Sequence, residues 1–133
     1  MSVSSKVLPM RTEEDLMIVR QTVKAWMIEQ KFSLLEQTKL VTAISEIGRN
    51  ALVYGGGGSA LLEQLLENCR VGIRVTIEDQ GPGIADIEQA LQDAYSTGNG
   101  LGFGLSGAKR LVMDFDICSK PGQGTRIKMT VWN

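Results

Sequence analysis

Three short segments, far apart along the chain, constrain its fold most tightly, because they carry chemistry only if they converge. Glu46-Ile47-Gly48-Arg49-Asn50 lies in an apolar-periodic stretch, so Glu46 and Asn50 share one helix face. Cys69 to Glu78 alternates Val71, Ile73, Val75 and Ile77 with Gly72, Arg74, Thr76 and Glu78, a strand with one buried face. Asp79 closes that strand, and Gln80-Gly81-Pro82-Gly83-Ile84 turns the chain behind it. Gly100-Leu101-Gly102-Phe103-Gly104-Leu105 then opens a second helical stretch. A helix face, a strand end and a glycine loop must meet at one place.

The elements around them follow from caps and periodicity. A first helix is expected from Thr12 to Gln30, with Thr12 as its cap, Glu13, Glu14 and Asp15 in its first turn, and Leu16, Val19, Val23 and Trp26 inward. Ser33 and Glu36 form a capping box for the second helix. Its inward face carries Val41, Ile44, Ile47, Ala51 and Tyr54, and Gly55-Gly56-Gly57-Gly58 ends it. Ser59 to Leu66 is ambiguous, and pattern alone favours helix. A short helix is expected from Asp86 through Ala94, a loop at Tyr95–Asn99, and a helix over Ser106–Phe115. Strands Asp116–Lys120 and Thr125–Trp132 close the chain around the turn Pro121-Gly122-Gln123-Gly124. This order suggests an α+β domain with helices on one face of a mostly antiparallel sheet.

Composition excludes several classes. At 133 residues, with 43% hydrophobic and 22% charged residues, the chain reads as one globular domain spanning 1–133. A net charge of -1 gives no case for nucleic acid or an acidic membrane surface. No apolar run has the length of a membrane span, and Met1-Ser2-Val3-Ser4-Ser5 lacks the blocks of a signal peptide, so a cytoplasmic location is expected. Cys69 and Cys118 show no pairing pattern and read as reduced thiols. With no histidine in the chain, any general base must be a carboxylate.

Each segment has a plain reading and a chemical one. Glu46 and Asn50 alone suit a solvated helix face; together they offer a carboxylate to act on a hydroxyl nucleophile and an amide oxygen for magnesium. The Asp79 segment alone is a turn; functionally, its carboxylate accepts the exocyclic amine of adenine while Gly81 and Gly83 admit the base. Gly100, Gly102 and Gly104 before a helix make a seat for phosphates, or only a structural loop. They lack the Lys-Ser/Thr ending of a P-loop and the βαβ context of a dinucleotide site. Lys109 and Arg110 read as solvated; Leu8, Met10 and Met27 suit either the core or a homodimer or partner surface. The three segments in one chain are the parts of a site for ATP and Mg2+.

In this order the segments resemble the N-box, G1-box and G2-box of the Bergerat-fold (GHKL) superfamily of ATPases and kinases. Nearest among them are the small serine/threonine kinases of bacterial partner-switching systems, of the stressosome switch type, which are related to anti-sigma factor kinases. Ile44–Asn50, Glu78–Ile84 and Ser96-Thr97 through Gly107-Ala108-Lys109-Arg110-Leu111 carry the likeness. It implies a two-layer sandwich with a mixed, mostly antiparallel sheet, and a strand rather than a helix at Ser59–Leu66. By the same resemblance Glu46 is the catalytic base, Asn50 a magnesium ligand and Asp79 the adenine acceptor. Gly100, Gly102 and Gly104 hold phosphates, and Thr125, in Gly124-Thr125, supports Asp79 through water. Gly98-Asn99 stands where related anti-sigma kinases often carry a basic residue, which implies reliance on magnesium or a partner and slow turnover.

The resemblance implies a protein kinase transferring the ATP γ-phosphate to a Ser or Thr of a STAS-domain scaffold or antagonist, then activating a PP2C-type phosphatase. The alternatives are a nucleotide-gated interaction module with little kinase activity and an ATP-binding anti-sigma factor. A stand-alone ATPase has least support.

Overall fold

Residues 2–83 and 105–133 are described by the computed structural model. In chain order they form β1 (Ser2–Met10), α1 (Glu13–Glu29), α2 (Leu34–Val53), β2 (Gly58–Glu67), β3 (Arg70–Asp79), α3 (Leu105–Leu111), β4 (Asp114–Ser119) and β5 (Thr125–Trp132). The strands make one sheet in the order β1-β2-β3-β5-β4. Every pairing among the described residues is antiparallel, so the expected mixed character does not arise from them.

The helix starts are set by their caps. The Thr12 hydroxyl accepts the Asp15 N–H at 3.0 Å, and the Asp15 carboxylate accepts the N–H groups of Thr12 and Arg11. Leu16, Val19 and Val23 are buried as the spacing predicts. Met27, rather than Trp26, completes the stripe, and Trp26 is only half-buried. Ser33 caps α2 by accepting the Glu36 N–H at 3.1 Å, and its own hydroxyl donates to the Glu36 carboxylate at 3.0 Å. Leu40, Ala43, Ile44, Ile47, Gly48 and Ala51 are buried on α2, whereas Val41 and Tyr54, expected inward, are half-buried. Gln37 is buried too, and its side-chain amide donates to the Phe32 carbonyl at 3.0 Å, which offsets the cost of removing it from water. A Cβ on Gly48 would fall 2.5 Å from the Leu16 side chain, so this glycine lets α1 and α2 approach.

The helices cover one face of the sheet. Ala60 and Leu62 of β2, Ile73, Val75 and Ile77 of β3, and Ile127, Met129 and Val131 of β5 point into a single apolar core with α1, α2 and α3. Full burial of one such leucine or isoleucine contributes about 1.5–3 kcal/mol. Met10 and Met27 are fully buried there and Leu8 partly so, which answers the choice between core and surface for them.

Three readings from periodicity change. Residues 58–67 are strand, as the family resemblance implies, and not the helix that the pattern of Leu61, Leu62, Leu65 and Leu66 suggests: β2 lies between β1 and β3 and is paired on both edges. The helix expected to reach Phe115 stops at Leu111, because Asp114 onward pairs with β5; Phe115 and Ile117 instead pack on the core from β4. Residues 2–10, left without an element by the sequence reading, form edge strand β1. The expected helix Asp86–Ala94, the loop Tyr95–Asn99, and Ile84, Gly100, Gly102 and Gly104 lie outside the described residues.

Candidate functional site

Strand register builds the site. Asp79, the last residue of β3, stands opposite Gly58 of β2 on one side and Thr125 of β5 on the other. Met10 pairs with Gly58 and Ser119 with Thr125, so one row of residues crosses all five strands at this end of the sheet. Odd-numbered β3 residues face the helices, which turns Asp79 toward α2 rather than toward the open face.

A cleft lies between that row and the C-terminal half of α2. Ile47, Asn50, Ala51 and Tyr54 line it at helical spacing; Ile77 and Asp79 come from β3, and Thr125 and Ile127 from β5. Gly55, Pro82, Gly83 and Leu105 also line it. About 470 Å³ of space lies between these walls, part of it continuous with open solvent. Ile47, Ala51, Ile77, Leu105 and Ile127 make apolar walls suited to a flat base, and Asp79 and Thr125 place oxygen at its polar end.

The Asp79 carboxylate is held by backbone. Its Oδ1 accepts the Gly81 N–H at 2.9 Å, and the backbone of Thr125 also hydrogen-bonds to it. Burial raises its pKa above the ordinary 3.8; those two hydrogen bonds oppose the rise and the Glu78 charge adds to it. Glycines make room for this carboxylate. A Cβ on Gly55 would collide with the Asp79 side chain, and one on Gly124 with the Asp79 carbonyl. Gly124 also has φ of +79°, where a side chain is strained. The turn between β4 and β5 braces the loop after Asp79, since the Gly122 N–H donates to the Pro82 carbonyl at 2.7 Å.

Thr125 is itself supported. Its Oγ1 lies 2.8 Å from the Ser119 hydroxyl, and the Ser119 hydroxyl donates to the Gly124 carbonyl at 3.0 Å. Sequence reading missed Ser119; the available signal was a hydroxyl residue in register with Thr125 across a glycine turn. Tyr54, Pro82 and Leu105 were likewise not singled out as site residues.

The structure thus brings Asn50, Asp79, Gly83 and Thr125 to one cleft, with Gly81 bonded to Asp79. Glu46 sits one turn before Asn50 on α2, half-buried, outside the wall formed by the described residues. Gly100, Gly102 and Gly104 fall outside those residues. No group of three His, Cys, Asp or Glu gathers among them, so a cation here would take the Asn50 amide oxygen together with oxygens of phosphate and water, a donor set that suits Mg2+.

Residues 35–132 match the family described as histidine kinase-, DNA gyrase B-, and HSP90-like ATPase. The chain is 40% identical to the serine/threonine-protein kinase RsbT of Bacillus subtilis over 91% of each chain. It is 33% identical to an anti-sigma F factor of Bacillus licheniformis, over 84% of this chain and 80% of that one. Among solved structures it resembles the RsbU and RsbW domains of a Mycobacterium tuberculosis protein, with TM-score 0.62 and 22% identity. That match covers 97% of this chain but 32% of the other. The SiaB-SiaC complex from Pseudomonas aeruginosa matches with TM-score 0.57 and 12% identity, over 99% of this chain and 91% of that one. At such identities the likeness is one of fold.

Proposed function

The chain belongs to the family of histidine kinase-, DNA gyrase B- and HSP90-like ATPases, and from that premise we propose that it is a serine/threonine protein kinase of a partner-switching system. It would bind ATP in the cleft and pass the γ-phosphoryl group to a hydroxyl of a STAS-domain scaffold or antagonist. The observation that carries the reading is the Asp79 carboxylate, fixed by two backbone hydrogen bonds at the polar end of an apolar slot. A carboxylate so placed accepts the amine of adenine. The 40% identity to a kinase across 91% of both chains supports protein phosphorylation as the output.

The residues divide the work. Asp79 and Thr125 orient the base between Ile47, Ala51, Ile77, Leu105 and Ile127. Asn50 would supply one oxygen to Mg2+, which when bound offsets phosphate charge. Glu46, with no histidine available, would accept the proton of the attacking hydroxyl. Gly100, Gly102 and Gly104 would cradle phosphates through backbone N–H groups. We further propose release of the kinase from its phosphorylated partner, followed by binding to a PP2C-type phosphatase. No helix among the described residues is long and apolar enough to cross a membrane, and a cytoplasmic site of action fits the proposed partners.

Intact-mass measurement of a STAS-domain partner after incubation with this chain and Mg-ATP tests the proposal. Addition of one phosphate by the wild type is expected, with none by Glu46→Gln or Asp79→Asn, and Glu46→Gln should retain ATP binding. Full phosphotransfer by Glu46→Gln would remove Glu46 from its role. The similarity to anti-sigma F factors favours a second reading, an ATP-binding anti-sigma factor. Stable ATP-dependent capture of a sigma subunit without partner phosphorylation would establish it.

A further inference from the structure

We infer that Ser119 is a specificity-positioning residue: it fixes the Thr125 hydroxyl as a pure acceptor toward the cleft and so selects a 6-amino purine nucleotide over a 6-oxo one. The inference rests on the adenine-nucleotide reading of the cleft and goes further by naming what enforces the choice of base.

The argument is one of counting hydrogens. A serine hydroxyl has a single hydrogen and two lone pairs. The Ser119 hydroxyl donates at 3.0 Å to the Gly124 carbonyl, a group that can only accept. With that hydrogen engaged, the 2.8 Å contact between Ser119 Oγ and Thr125 Oγ1 requires Thr125 to be the donor. The only hydrogen on the Thr125 hydroxyl is therefore directed away from the cleft. What Thr125 shows to the cleft it lines is lone-pair density. Its register partner Asp79 presents a carboxylate, which in its ionised form also only accepts.

Among the described residues, Asp79 and Thr125 thus present two acceptors at the polar end of the cleft. The exocyclic amine of adenine brings two hydrogens, which can satisfy both directly or through one water. A 6-oxo purine brings an oxygen there instead and meets acceptors with an acceptor. Asp79 alone would disfavour it, but a freely rotating Thr125 hydroxyl could turn and donate to that oxygen. Ser119 removes this escape. Its position serves the purpose: β4 ends at Ser119, β5 begins at Thr125, and the tight turn between them holds the two hydroxyls in cross-strand register.

The test is titration of the full chain with Mg-ATP and Mg-ITP, which differ at the 6-position of the base and the N1 hydrogen that follows from it. The wild type should bind ATP more tightly than ITP. Ser119→Ala should lower the ratio of the two dissociation constants about fivefold, roughly the worth of one neutral hydrogen bond, mainly by improving ITP. Ser119→Thr, which keeps the hydroxyl, should restore the ratio. In a Thr125→Val background, the added Ser119→Ala change should have no effect on it, since no hydroxyl is left to orient. A purely structural role for Ser119 would weaken both nucleotides alike. An unchanged ratio in folded Ser119→Ala overturns the inference while leaving the ATP site intact. If Ser119→Ala does not fold, an unchanged ratio in Thr125→Val does the same. Failure of the wild type to bind either nucleotide instead overturns the adenine-nucleotide reading on which the inference stands.

Discussion

At the residue scale, Asp79 concentrates both recognition and cost. Asp79→Asn exchanges an acceptor for an amide that also donates, and nucleotide affinity should fall roughly 30- to 150-fold, about 2–3 kcal/mol, by calorimetric titration. The same variant carries a pH signature. The folded-state pKa of Asp79 is raised above 3.8, so in the window between the two values the native protein holds more protons than the unfolded chain. The stabilisation from Asp79 is therefore fully present below 3.8 and is lost as pH climbs through the folded value. Relative to wild type without nucleotide, Asp79→Asn should gain stability across that rise, measured by urea denaturation at a series of pH values. Gly124→Ala places a side chain at positive φ against the Asp79 carbonyl and should cost about 1–3 kcal/mol, with weakened nucleotide binding alongside.

At the scale of elements, two substitutions should stabilise. The β2–β3 turn puts Asn68 and Cys69 at φ of 51° and 63°. Asn tolerates this region and Cys does not favour it, so Cys69→Gly should raise stability by up to about 1 kcal/mol. Gly107 lies inside α3 with no atom of the described residues within 4 Å of where a Cβ would go, and Gly107→Ala should add about 0.5–1 kcal/mol by thermal or urea denaturation. The elements also show what the sequence makes legible. Both long helices were readable because Thr12 and Ser33 announce their starts locally. Strand β2 was not readable from periodicity, since its leucines fit either period; the family resemblance implied a strand there, and pairing on both edges bears it out. The end of α3 was hidden for the same reason: Phe115 continues an apolar helix pattern, and only the ladder with β5 claims it for a strand. At the site, Asn50, Asp79 and the glycines stand out by residue type and spacing, whereas Ser119 acquires meaning only from cross-strand register.

For the whole molecule, the close α1–α2 contact and the single core mean that the site depends on packing far from it. Leu40 is fully buried on α2, well away from the cleft, yet it helps to seat the helix that carries Asn50. Leu40→Ala should cost about 2–5 kcal/mol in urea denaturation, with nucleotide affinity changed little in the population that remains folded. The row Met10, Gly58, Asp79, Thr125 and Ser119 joins residues from five strands, with Met10 and Thr125 near opposite ends of the numbering. On the ribosome, Asp79 emerges well before the strand that supplies Thr125 and the turn that braces Pro82. A nascent chain released only through α3 would display the carboxylate without its backing. It should therefore ignore nucleotide until β5 has left the exit tunnel, which makes ATP capture a sign that synthesis has passed residue 132 and the sheet has closed.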